Sequence, residues 1–246
     1  MGLPRDLSET PSLGQIQNKS LREHVLEMLR NAIVNGELKP GQTLIVADLA
    51  TQLGVSRAPL REAINMLSAE GLVEMVPYHG TKVTKLSRKD IEDLYSVRSL
   101  MECFSVERLI AFGKTKEVVA QLRAICEDMI KAADEGNLIE VNKIDRQFHD
   151  AIVTASQNDL LIMLWGVVSL RVRQVMSLRN QRKGNLREIA SNHLQIVDAI
   201  ESENTELAVQ LIRDHIGATG DVIAEAWDED SQEGENRIRS KEKQTS

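Results

Sequence analysis

Four ionisable side chains in the second half of the chain lie within apolar stripes, where such groups are unusual. Asp145 and His149 are four residues apart among Leu, Val, Ile and Phe residues, and His193 and His215 interrupt two later stripes. A buried polar group without a partner costs about 1–3 kcal/mol, so we expect a shared partner. Imidazole and carboxylate groups bind Zn²⁺, Ni²⁺ or Mn²⁺, and an i, i+4 pair supplies two ligands from one helix face. The pattern therefore predicts a divalent metal site, Zn²⁺ first, although a lone core histidine is more often a hydrogen-bonded packing residue.

Arginines near these stripes are candidate contacts for an anionic ligand. Arg98 shares a helix face with apolar residues and has Glu102 four residues later as an orienting partner. It would bind a ligand carboxylate or, alternatively, form an internal salt bridge at a dimer or domain contact. Arg171 and Arg173 lie in an otherwise apolar helix. We predict Arg171 as the second effector contact, although the sequence does not distinguish it from Arg173.

A second chemical pattern lies at residues 44 to 84 and is typical of DNA recognition. Val46 to Leu53 predicts a short helix, and Gly54 permits a tight turn before a second helix capped by the Ser56 hydroxyl. An i, i+3, i+4, i+7 apolar stripe predicts the buried face of this second helix. Arg57 and Arg61 then lie together on its outer face, near its N-terminus, where arginine can read guanine in the major groove. The alternative for two such arginines is an ordinary solvated helix face.

A hairpin is predicted directly after this second helix. Gly71 would end the helix, and strands at 73–76 and 82–84 would be joined by a turn at residues 77–80. His79 and Gly80 at the hairpin tip would approach the DNA backbone or minor groove, although a polar residue at a hairpin tip is often merely exposed. The whole unit predicts a winged helix-turn-helix.

The elements around these patterns divide the chain into two domains. Capping boxes at Ser20 with Glu23 and at Ser87 with Asp90 begin the first helix of each domain. After residue 87 the pattern is only helical, and we place helices at about 87–112, 115–134, 137–156, 158–181, 185–202 and 204–227. We therefore predict a mainly α protein: a disordered tail (1–18), a winged helix-turn-helix domain (19–86), an antiparallel six-helix bundle (87–227) and a disordered charged tail (228–246).

Composition and charge limit the classes of function. The net charge of -7 argues against nucleic acid at first, but residues 15–88 hold nine Lys/Arg against seven Asp/Glu, so the acidic excess belongs to the bundle. Cys103 and Cys126 suit a reducing compartment as small core residues. The sequence has no run of 18 apolar residues and no basic-then-apolar leader, so we expect a cytoplasmic protein that does not contact a membrane.

The motif residues resemble a known family. LxxLGVSRxPLREAxxxLxxEGLV, from Leu49 to Val73, resembles the signature of the GntR family of bacterial transcription regulators. This resemblance implies DNA contacts from Ser56, Arg57, Arg61 and the His79-Gly80 wing tip. DxxFHxxI, NHxxIxxAI and IRDHI in the second domain resemble the FCD-type effector domain, in its shorter six-helix subtype. That resemblance implies that Asp145, His149, His193 and His215 bind a metal and that small carboxylates complete its coordination.

Three functions are compatible with these features. The first is a transcription regulator, a repressor, which binds an inverted-repeat operator as a homodimer and responds to a small organic or sugar acid at the metal site. The second is a DNA-binding regulator whose metal is purely structural. The third is a metal-dependent enzyme. Four protein ligands leave few open positions for catalysis, and no second acid or base lies in the same stripes, so we expect no enzyme.

Overall fold

The computed structural model describes residues 20–76, 80–113, 115–179 and 185–242, and the side chains of this part up to residue 224. The first domain begins with α1 (Leu21–Val34), β1 (Thr43–Leu44), α2 (Val46–Leu53) and α3 (Arg57–Ala69), and ends with β2 (Val73–Val76) and β3 (Gly80–Val83). The second domain consists of α4 (Arg88–Ala111), α5 (Thr115–Asp134), α6 (Leu138–Ala155), α7 (Asp159–Arg179), α8 (Leu186–Glu201) and α9 (Thr205–Glu242). This is the predicted order of winged helix-turn-helix and six-helix bundle.

Local sequence signals position α2 and α3. Gly54 adopts a left-handed φ of 64°, as the turn between the two helices requires. The predicted stripe of α3 is fully buried and packs in one core with α1, which the Arg30–Glu70 ion pair also ties to the end of α3. Because this core fixes the inner face of α3, its outer face is left for solvent or DNA.

The sheet differs from its prediction in the limits of its last strand and in its number of strands. β3 pairs antiparallel with β2, with Val76 opposite Gly80, so Gly80 is a strand residue and not part of the turn. Thr43 and Leu44 add a third strand on the other edge of β3, which the sequence analysis missed because two residues show no alternation. The predicted tip residue His79 lies outside the described residues, as does the predicted tail at 1–18.

The bundle confirms the predicted helix breaks near residues 113, 136, 157 and 203, whereas the predicted break at 182–184 lies outside the described residues. The Ser87 capping box opens α4, and left-handed residues at Gly113, Gly136, Gln157 and Glu203 separate successive helices. Helix α4 packs mainly on α9 and α6, while α5 packs on α6 and α8. The two domains meet where α1 packs on α7, and there Ser177 Oγ donates to the Val34 carbonyl.

Helix α9 is longer than predicted, and helix α7 is strongly apolar. Helix α9 continues to Glu242, past the predicted end at 227. The reason is that the segment is rich in Glu, Arg, Lys and Gln, which favour helix despite their charge. Within the described chain, Asp159–Leu178 of α7 is long and apolar enough to span a membrane by length and composition alone, and only 17% of that window is buried. This stretch includes Asp159, Arg171 and Arg173, so it is not an uninterrupted run of 18 apolar residues.

Candidate metal centre and DNA-reading helix

Three helices bring the four predicted metal ligands together. Asp145 and His149 come from α6, His193 from α8 and His215 from α9, and their nearest ligand atoms all lie within 4.8 Å of one another. Two ligands on opposite sides of one ion, each at about 2.0–2.2 Å, are roughly 4.0–4.4 Å apart. The cluster therefore has about the size of one ion's ligand shell.

Hydrogen bonds orient two of the imidazoles so that one nitrogen of each faces the centre. His149 Nδ1 lies 2.5 Å from Glu102 Oε2, and His193 Nδ1 lies 2.9 Å from the Ile189 carbonyl oxygen. Both partners are acceptors, so each Nδ1 carries the proton and donates it, and each Nε2 keeps a free lone pair. These two Nε2 atoms are buried, and both point at Asp145, whose Oδ1 lies 3.0 Å from the Nε2 of His193 and 3.8 Å from that of His149. Two imidazole nitrogens that converge on one carboxylate oxygen fit the ligands of a metal ion.

The charges around the cluster favour a cation at its centre. Burial opposes ionisation of Glu102, but His149 and Arg98 outweigh it and lower the pKa of this carboxyl to about 2. Burial is likewise outweighed at Asp145, whose pKa is held well below its usual value by His149 and His193. Burial and the neighbouring His193 and His149 lower the pKa of His215 to about 3, so its imidazole is neutral and able to bind a metal.

Arg98 lies beside this cluster and is buried. Its Nε donates to Glu102 Oε1 at 2.7 Å, and Glu102 also accepts from His149, so one carboxylate links the arginine to a candidate ligand. Helix spacing predicted the pairing of Glu102 with Arg98. It did not predict the contact of Glu102 with His149, because helix periodicity says nothing about contacts between α4 and α6. The i, i+4 spacing from Arg98 was the only available signal.

Two cavities flank the cluster, and Arg98 and Asp145 line both. The α9-side cavity, about 260 Å³, is also lined by His215 and Thr219 of α9. The interdomain cavity, about 250 Å³, is also lined by His149, by Arg146 and Arg173, and by Asn35 of the first domain. A small ligand in either cavity would lie beside the metal centre.

Arg171 does not face these cavities, which corrects its prediction as an effector contact. Its guanidinium packs on Gly71 of the first domain, where an added methyl group would come within 2.7 Å of Nη2. Arg173, two residues later, lines the interdomain cavity instead. Successive residues on a helix are about 100° apart, so two residues with a spacing of two point in nearly opposite directions. Arg146 was missed because it adjoins Asp145 and lies off the histidine stripe.

The predicted DNA-contacting residues of α3 are exposed together. Ser56, Arg57 and Arg61 all have solvent-accessible side chains at the N-terminal end of the helix. Ser56 holds the N-cap position with extended backbone, but its hydroxyl makes no capping hydrogen bond, contrary to the prediction. The cap hydroxyl accepts from the backbone N–H of the second or third helical residue, and the third is Pro59, which has no N–H to donate.

Comparison with known proteins agrees with both parts of this description. Residues 21–83 match the family described as "Bacterial regulatory proteins, gntR family", and residues 93–218 match the FCD domain. The chain belongs to the GntR family. As a GntR-family protein with an FCD domain it is a DNA-binding transcription regulator, and the enzyme alternative is rejected.

Similar proteins agree with this family membership. The GntR-family chain is 30% identical over 221 residues to the HTH-type transcriptional regulator LutR of Bacillus subtilis (strain 168), covering 81% of this chain and 100% of that protein. It is 27% identical over 209 residues to the gluconate operon transcriptional repressor of the same organism, covering 81% and 83%. The solved structure of E. coli McbR/YncC shares the fold with a TM-score of 0.72 at 22% identity, covering 85% of this chain and 100% of that one.

Proposed function

We propose that this regulator is a repressor whose affinity for an inverted-repeat operator is controlled by a small organic or sugar acid bound at a metal centre in the bundle. The observation that carries the proposal is the buried Asp145–His149–His193–His215 cluster between two cavities, one of which reaches the DNA-binding domain. The gluconate operon repressor named above is a relative whose name includes a sugar acid. We also infer a cytoplasmic location, because the relatives are bacterial transcription regulators.

The donor set favours a divalent ion, with Zn²⁺ ahead of Ni²⁺ and Mn²⁺. Three imidazoles and one carboxylate are borderline ligands that suit these ions better than Mg²⁺ or Ca²⁺, which prefer oxygen. When bound, the ion would act as a Lewis acid for ligand oxygens. Arg98 beside it supplies a guanidinium suited to a carboxylate, and Glu102 keeps that guanidinium in place.

The interdomain cavity offers a route from ligand to DNA. Asn35, which caps the C-terminus of α1, lines this cavity together with Ser177, and Ser177 donates to the Val34 carbonyl in the last turn of α1. A ligand that fits one orientation of α1 better than another would shift the arrangement of the DNA-binding domains. By linkage, the operator affinity changes only by the ratio of ligand affinities for the two arrangements.

Thermal unfolding tests the sensing role. The purified full-length protein, loaded with Zn²⁺, is expected to show a higher midpoint with millimolar gluconate or lactate, because a ligand that binds only the folded state stabilises it. After removal of the ion with a chelator, the midpoint should fall and the carboxylate effect should disappear. A midpoint that falls on chelation but never responds to any carboxylate would favour the structural-metal alternative.

An exposed apolar face supports the proposed homodimer. Leu160, Met163, Leu164 and Val167 follow an i, i+3, i+4, i+7 pattern on α7, and Met163 is 64% exposed. Helix α4, which packs on α7, adds Leu100, 72% exposed, and Phe104. A contiguous apolar face of this kind is typical of a protein interface. Two copies joined through it would present two α3 helices to the two half-sites of an inverted repeat.

Placing a charge on this face should separate the copies. Leu164→Glu is expected to change the mass measured by light scattering at micromolar concentration from twice the chain mass of 27.5 kDa to the chain mass itself, since a carboxylate buried in an interface without a partner is strongly unfavourable. Leu207→Glu, at an exposed leucine of α9, is the matched control and should remain dimeric. A wild-type protein of single-chain mass, or a dimeric Leu164→Glu variant, would contradict this interface.

A further inference from the structure

The interdomain cavity has two chemically distinct ends. Arg98 and Asp145 line both this cavity and the α9-side cavity, so they mark the end at the metal centre. Arg146 and Arg173 line both this cavity and a cleft of about 410 Å³ between α1, α6 and α7, so they mark the opposite end. A ligand held at the metal centre would therefore extend towards two further guanidinium groups.

These two arginines have unused hydrogen-bonding capacity. The Nε atoms of Arg146 and Arg173 are buried and lack a hydrogen-bond partner among the described residues. Asp150 is the nearby carboxylate, but its Oδ2 is 3.7 Å from Arg146 Nε, and its Oδ1 accepts from Trp165 Nε1 at 2.6 Å. Buried donors without partners cost stability, which a ligand acceptor would recover.

Other cations of this region are already paired. Arg98 donates to Glu102, Lys143 lies 2.9 Å from Glu140, and Arg30 forms its two-contact pair with Glu70. Burial, together with the positive charges of Arg146 and Arg30, lowers the pKa of Arg173. Burial and two neighbouring guanidinium groups thus disfavour the charge of Arg173, and an anion placed beside it would stabilise that charge.

We propose that the effector carries a second anionic group, a carboxylate or a phosphate, which Arg146 and Arg173 bind at the end of the cavity away from the metal centre. This inference rests on the proposed function, since it assigns the first acidic group to the metal and Arg98. The cavity volume of about 250 Å³ is about eight times the ~30 Å³ of a water molecule in the liquid, which suits a ligand of roughly ten non-hydrogen atoms. Asn35 and Ser177 line the same cavity, so the second group would lie near the junction with α1.

Matched pairs of acids test the inference on the full-length, Zn²⁺-loaded protein by titration calorimetry. 2-Hydroxybutanoate and malate differ by one carboxylate, and glycerate and 3-phosphoglycerate differ by one phosphate. We expect the member of at least one pair that carries the second acidic group to bind at least about 10-fold more tightly than its monoanionic partner, as hydrogen bonds to charged groups imply. The pair that shows the preference identifies the second group as carboxylate or phosphate.

Variants then assign the preference to residues. Arg173→Gln should remove it while metal content and monoanion affinity are kept, and Arg146→Gln provides the same test should the first variant fold poorly. Arg171→Gln, on the same helix but outside the cavity, should keep it. Equal binding within both pairs, or a preference that survives in Arg173→Gln, would overturn this inference but not the proposed function. If none of the four acids binds, the proposed carboxylate sensing fails with it.

Discussion

Replacing His149 with alanine is expected to reduce the metal content of the protein, after dialysis against a weak chelator, from about one ion per chain to less than about a tenth of that. The reason is that the variant loses one of four ligands and, at the same time, the group through which Glu102 orients the centre. Loss of an orienting partner alone typically lowers metal affinity by about 10–100-fold, and loss of the ligand should cost more. Elemental analysis of purified protein measures this directly.

A surface histidine supplies the control for that experiment. His24→Ala changes an exposed residue of α1 and should leave metal content unchanged. The His149→Ala variant should also show no carboxylate-induced rise in its unfolding midpoint, while its DNA-reading helix stays folded. Full metal occupancy in this variant would show that His149 is not a ligand and that the four side chains do not form one metal site.

The second large effect is expected at α3. Arg57→Ala and Arg61→Ala should each lower operator affinity by about 1–3 kcal/mol for every half-site, as the loss of a bidentate contact to a base does. In a dimer bound to two half-sites this is about 2–6 kcal/mol, or roughly 30-fold to 10⁴-fold in Kd. The DNA for the measurement is a sequence selected from a random pool by the wild-type protein, and fluorescence anisotropy gives the Kd at fixed salt.

An arginine of the bundle separates base reading from general charge. Arg123→Ala removes the same charge from an exposed pair with Asp198 and Glu201 and should leave the Kd unchanged. A repeat of the selection with Arg57→Ala should also show relaxed preference at one position of each half-site. If Arg57→Ala loses affinity for all DNA sequences equally, this arginine contacts phosphate and does not read a base.

The size of these effects follows from how each site is built. The candidate metal ligands come from three different helices, so the proposed centre depends on the packing of these helices. Arg57 and Arg61 lie on a single helix, α3, whose inner face is buried through Leu60, Ile64 and Leu67. Substitutions at the metal centre should therefore change stability and metal content together, while substitutions on the outer face of α3 should change DNA binding alone.

The positions of elements with strong local signals could be predicted from the sequence. The limits of α2 and α5 agree with the prediction, and the capping boxes at Ser20 and Ser87 form as expected, because caps and 3.6-residue periodicity act within one or two turns. The four candidate metal ligands, predicted from ionisable residues inside apolar stripes, do lie within 4.8 Å of one another in the fold. The missing Ser56 cap was not predicted, because Pro59 removes only the N–H of the third helical position and Ala58 at the second position keeps its own.

The contacts made by each face of α7 could not be predicted from the sequence. That helix is apolar on its exposed face as well as on its packed face, so periodicity could not distinguish Arg171, which packs on Gly71, from Arg173, which lines the interdomain cavity. The shared role of Glu102 between Arg98 and His149, and the meeting of Arg146 with Arg173, likewise depend on contacts between helices far apart in the chain. Local sequence sets which residues share a helix face, whereas packing sets what that face contacts.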